Sequence, residues 1–141
     1  MPRSYRVSHA PSPSVMFARL ATSAGMDHSL PRLDAHALEA LVRTPGVTTI
    51  EFTARWCGPC KTMEPILGAL AAEYADRVRL VAVDVHDEPV IAERFSVRSM
   101  PTLVLIRDGR EIGRVVGSRP RAFISGMLDR ALGGDVAIAA P

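Results

Sequence analysis

Cysteine occurs twice in this chain of 141 residues, at Cys57 and Cys60. The two lie three apart, so their sulfurs can join as a disulfide and part again, and a pair so spaced can equally supply half of a metal site. The run before them, Val47-Thr48-Thr49-Ile50-Glu51-Phe52-Thr53-Ala54, is rich in β-branched and aromatic residues, while the segment after them has helical apolar spacing. A strand is therefore expected to hand over to a helix at Cys57. The first amides of a helix have no partner inside it, and its dipole is positive at that end, which favours a thiolate over a thiol. Pro59 suits the first helical turn and Gly58 leaves the approach to Cys57 uncrowded. Cys60 falls one turn inside, on the same face, with β-carbons roughly 5–6 Å apart.

Metal binding is the competing chemistry, and the remaining residues argue against it. A structural zinc site takes four ligands, yet His9, His28, His36 and His86 show no His-x3-5-His spacing and no second cysteine pair exists. Composition excludes further classes. At 48% hydrophobic and 23% charged the chain is ordinary for a soluble domain, and no apolar run approaches the length of a membrane span. The net charge is +2, but residues 1 to 26 hold Arg3, Arg6 and Arg19 and no acid, leaving 14 basic against 15 acidic residues beyond them. A near-neutral domain without a basic aromatic stripe is not a nucleic-acid binder. Every basic residue except Lys61 is arginine, which reads as codon bias with one surviving surface lysine.

The elements that must hold the cysteines follow in order. Residues 1 to 26, with Pro2, Pro11, Pro13 and five serines, read as a disordered extension. Their composition overlaps with organellar transit peptides, although the prolines interrupt an amphipathic helix, no secretory apolar core is seen, and Met16 and Met26 are alternative starts. A domain over 27–133 is expected, followed by a short tail at 134–141. Within it we expect a short strand at His28 to Leu33, then a helix capped by Asp34 with Ala37, Leu38, Leu41 and Val42 inward, then the strand Val47 to Ala54. The helix after the cysteines presents Met63, Ile66, Leu67, Leu70 and Tyr74 and should be kinked at Pro65. A strand at Val78 to Val85, a short helix from Pro89 to Phe95, and strands at Thr102 to Ile106 and Glu111 to Val116 joined by Asp108-Gly109 come next. A last helix starts after Ser118 and Pro120, turns Phe123, Met127, Leu128 and Ala131 inward, and stops at Gly133-Gly134. The order β-α-β-α-β-α-β-β-α implies an α/β fold, a mixed central sheet with helices on both faces.

Taken together, Phe52, Ala54, Trp56-Cys57-Gly58-Pro59-Cys60-Lys61, Pro65, Pro101-Thr102, Gly109 and Gly117 resemble the thioredoxin family over residues 27 to 132. The resemblance implies the thioredoxin fold and protein-disulfide reductase activity. Cys57 would be the attacking thiolate, Cys60 the resolving thiol, and the two together the redox-active disulfide, with Gly58 and Pro59 tuning it. Pro101 would follow a cis peptide bond, and Trp56, Met100, Pro101 and Gly117 would form a shallow apolar groove for an extended target segment. No cofactor would be bound; electrons would come from NADPH through a thioredoxin reductase partner, and disulfide-containing proteins would be the targets. A cytoplasmic monomer with no nucleic-acid or membrane partner is expected.

Glu51 is a carboxylate within an apolar strand, costly unless paired or protonated. The resemblance matches it to a buried aspartate and implies a general acid/base role toward Cys60. The family commonly has a lysine where this chain has Ala82, so burial without that cation should raise the proton affinity of Glu51. Thr53 replaces a usual tryptophan, and Arg55, Lys61 and Arg98 would give the site a basic rim favouring acidic targets. Two other readings compete: an oxidase or isomerase of an oxidising compartment, against which Gly58-Pro59 speaks, and a chaperone or binding module that holds clients in the groove.

Overall fold

The computed structural model describes residues 29–134. Four strands make one sheet, β1 (Val47–Thr53), β2 (Val78–Asp84), β3 (Thr102–Arg107) and β4 (Arg110–Val116), in the spatial order β2-β1-β3-β4. β1 runs parallel to β2, and β3 is antiparallel to both of its neighbours. Helices α1 (Ala35–Val42), α2 (Gly58–Glu73), α3 (Pro89–Arg94) and α4 (Arg121–Gly133) connect and flank the strands.

Strand alternation divides the core in two. Val47 of β1, Val78, Leu80 and Ala82 of β2, and Leu103 and Leu105 of β3 meet Met63, Leu67 and Leu70 of α2 and Ile124, Met127, Leu128 and Ala131 of α4. Their neighbours Ile50, Phe52, Val81, Val83, Val104 and Ile106 point the other way, against Leu38 and Leu41 of α1 and Ile91 and Ala92 of α3. Every residue of β1 is buried, as a composition of apolar and β-branched residues favours, and Glu51 is carried into the interior with them. Full burial of a side chain such as Phe52 or Ile50 contributes about 1.5–3 kcal/mol each, so the strand that delivers the cysteines is firmly held.

Local signals set the ends of the elements. Asp34 caps α1 by accepting from the Ala37 amide at 2.8 Å. Asp108 and Gly109 take positive φ values of 50° and 81°, the backbone of a two-residue hairpin whose twist suits its strands. Gly134 ends α4 in the left-handed region.

Three expectations change. Of the strand expected at His28 to Leu33, His28 lies outside the described residues, and the rest forms a single parallel bridge between Arg32 and Ala82. Pro31 has no N–H to extend the ladder and Asp34 starts α1 two residues after the bridge, so only the Leu33 amide and the Pro31 carbonyl bond to Ala82, each at 2.9 Å. In α4 it is Ile124, not Phe123, that turns inward; Phe123 is exposed and lies under the Arg119 guanidinium. β1 stops at Thr53, β2 stops at Asp84, β3 extends to Arg107 and β4 starts at Arg110, each one residue from the expected bound. The extension at 1–26 and most of the tail at 134–141 fall outside the described residues.

Candidate active site

At the end of β1 the chain turns through Ala54, whose carbonyl accepts from the Cys57 amide at 3.1 Å. Cys57 itself stays extended as the N-cap of α2, and its Sγ accepts from the Cys60 amide at 3.2 Å. The residues between contribute nothing that competes: Pro59 has no amide hydrogen, and space beside the Gly58 α-carbon is open. One helix-start amide is thus aimed at one sulfur. Cys57 and Cys60 are joined as a disulfide, with α-carbons 5.3 Å apart.

Both sulfurs sit in a small apolar cluster with Ala54, Val85 and Met100, Cys57 at 5% exposure and Cys60 at 1%. Cys57 is therefore the one nearer the surface. The Met100–Pro101 peptide is cis, as the sequence comparison implied. Pro101 and Gly117 are tied together, the Gly117 amide donating to the Pro101 carbonyl at 2.8 Å, and Gly117 holds φ at +86° to do so. Met100 thus packs against the cysteine pair, and the bond from Gly117 fixes the loop that follows it. Trp56 stands on the other side in sequence and is 71% exposed, an unusual position for an indole in a free surface.

Glu51 is 2% exposed, and its Oε1 finds no hydrogen-bond partner among the described residues. Burial, reinforced by the nearby Glu64 carboxylate and opposed by the Arg32 guanidinium, pushes its pKa up to about 7 from the ordinary 4.5. The direction matches the expectation from burial. The cation that seemed to be missing is not: Arg32 supplies one from the segment beside Ala82, reaching Glu64 at 3.7 Å and Asp84 at 3.5 Å. Helical spacing could have placed Glu64 one turn past Cys60, but Arg32 comes near only through the bridge to Ala82, which no local pattern signals.

The basic rim is smaller than its residue list. Arg55 is engaged by Asp87 through both carboxylate oxygens and lies 3.6 Å from Asp84. Lys61 and Arg98 are exposed and have no ion pair among the described residues.

A strand-to-helix junction that presents one sulfur to a helix-start amide, joins it to a second, more deeply buried sulfur and sets a cis-proline loop beside them defines a thiol-disulfide oxidoreductase. Comparison with known proteins agrees. The family model described as Thioredoxin matches residues 30–130. A curated thioredoxin of Staphylococcus aureus is 39% identical over 87 residues, covering 62% of this chain and 84% of that one. Among solved structures, mitochondrial thioredoxin 3 from Saccharomyces cerevisiae in its oxidized form superposes with a TM-score of 0.65 at 38% identity, over 77% of this chain and 97% of that one. Fasciola hepatica thioredoxin gives 0.67 at 33% identity, over 72% and 99%. The chain belongs to the thioredoxin family, and its cysteine couple carries protein-disulfide reductase activity; a purely client-holding module is not favoured.

Proposed function

We propose that Cys57 is the nucleophile, Cys60 the resolving thiol and Glu51 its proton acceptor in the reduction of target-protein disulfides. The observation that supports this most directly is the Cys60 amide directed at Cys57 Sγ. In the dithiol form this donor and the positive end of α2 favour a thiolate at Cys57. That thiolate attacks one sulfur of the target disulfide, the target's S–S bond breaks, and one target sulfur leaves as thiolate and takes a proton. Cys57 now holds the target through a mixed disulfide. Cys60 passes its proton to Glu51 and attacks Cys57 Sγ; the mixed disulfide breaks and the second target sulfur departs. The target has gained two electrons and Cys57–Cys60 is oxidised.

The pair carries both electrons, so the step itself asks for no bound cofactor. Two electrons from NADPH, delivered by a thioredoxin reductase, return the couple to the dithiol in the cytoplasm. Trp56, Met100, Pro101 and Gly117 form the groove for the target segment, Gly58 and Pro59 keep its approach open, and the monomer's working domain spans 27–133. Cys60→Ser tests the sequence of events. It should accumulate target mixed disulfides that a reducing agent dissolves, whereas Cys57→Ser should accumulate none; equal trapping by both variants would refute the assignment.

A further inference from the structure

Glu51, Ala82 and Arg32 stand in one row across the sheet. Glu51 is in register with Ala82 in the parallel β1/β2 ladder, and Ala82 is bridged in parallel to Arg32. Matched positions on neighbouring strands send their side chains to the same face, so Arg32 and Glu51 share the face covered by α2, with only the Ala82 methyl between. Two strand spacings separate their α-carbons by roughly 10 Å, so the Arg32 charge acts on Glu51 across the buried face without an ion pair between them among the described residues. From α2, Glu64 follows Cys60 by four residues, on the same side of the helix, and meets Arg32 at 3.7 Å. The other charges nearby are Asp84, 3.5 Å from Arg32, and Arg55 behind it, 3.6 Å from Asp84. β3 places Leu103 opposite Glu51, and α4 presents Ile124 and Met127 to this face, none of which titrates.

We propose that Arg32 and Glu64 are positioning residues for Glu51, a charge pair on the sheet face whose balance sets how readily the buried carboxyl takes and returns the proton of Cys60. Arg32 draws Glu51 toward its anion. Glu64 repels that anion and, by engaging Arg32, blunts the attraction. These are the directions in which the two residues act on Glu51, with burial the larger influence. Both side chains are partly open to water, so the control is graded and weakens with salt. The inference rests on the reading of Glu51 as proton acceptor.

The test is a carbon-13 carboxyl titration of Glu51 in the reduced full-length protein, assigned with Glu51→Gln, for the parent, Arg32→Gln, Arg32→Lys and Glu64→Gln. Arg32 is half exposed, and circular dichroism will show the variants folded. Arg32→Gln should raise the Glu51 midpoint by about half a pH unit to one unit, Glu64→Gln should lower it, and Arg32→Lys should stay near the parent. Glu51 midpoints that stay fixed, or that move the same way in Arg32→Gln and Glu64→Gln, would overturn the proposal. A separate measurement distinguishes the underlying reading. If the midpoints move as stated and the pH profile of mixed-disulfide resolution does not follow them, the charge pair stands and the acceptor role of Glu51 is what fails.

Discussion

Asp87 holds Arg55 by accepting from its Nη2 with both carboxylate oxygens, at 2.7 and 2.9 Å. An arginine adjacent to the catalytic motif is in this way neutralised before any target arrives. Freeing it should matter more than deleting it. Arg55→Gln is expected to leave the rate with an acidic disulfide substrate within about twofold, because a compensated charge steers little. Asp87→Asn should raise that rate and steepen its decline with salt. Initial rates over a series of ionic strengths will decide; a large loss in Arg55→Gln would show that the guanidinium acts despite its partner.

The buried Glu51 makes stability depend on pH in an unusual direction. Its folded pKa, about 7, lies above the unfolded 4.5, so between these values the folded state binds more protons than the unfolded one. Stability is therefore greatest below the unfolded value and falls as pH rises through 7, by about 3 kcal/mol in all. Glu51→Gln should flatten that slope and leave the variant more stable than the parent at pH 8. Urea unfolding at several pH values gives the answer, and a parallel pair of curves would show that Glu51 reaches water as an anion.

Trp56 is held out at 71% exposure beside a buried sulfur. Its replacement by alanine should cost the fold little and lower kcat/KM for protein disulfides by roughly tenfold, as loss of an aromatic anchor at an interface does. A small aromatic disulfide, which needs no groove, should react at nearly the parental rate. Equal losses on both substrates would place Trp56 in the chemistry instead of in recognition.

The last helix offers a direct comparison of neighbours. Ile124 is fully buried and Phe123 is 38% exposed. Ile124→Ala should cost about 2–4 kcal/mol, and Phe123→Ala clearly less despite removing the larger group. Chemical denaturation of both variants measures the difference.

That pair also shows where sequence reading stops. Phe123 and Ile124 fit the spacing to Met127 and Ala131 almost equally well, and only the direction in which α4 meets the sheet chooses between them. β1, by contrast, was legible to within one residue of its end, because a run in which every position but Glu51 suits burial on both faces admits few other structures. The Asp108-Gly109 hairpin was legible for a similar reason: its backbone needs the two residue types present. The cysteine pair announced its own placement through Pro59 and the switch of apolar period around it. What stayed hidden was the set of charges around Glu51. Arg32 precedes Glu51 by nineteen positions and reaches its surroundings through a bridge that Pro31 and the Asp34 cap limit to one residue, so neither periodicity nor composition marks it.

Among the described residues β4 has a hydrogen-bonded neighbour on one side only, at the outer margin of the sheet. Its free row of amides and carbonyls is a template on which a second chain could build, yet Arg110, Glu111 and Arg114 occupy much of that strand, and Glu111 and Arg114 are paired at 2.6 Å. A strand arriving from another molecule would have to strip water from those charges before gaining a ladder. The protein thereby resists growing into aggregates along this border, while the cysteines, at the C-terminal end of β1, remain free to engage partners through chemistry alone.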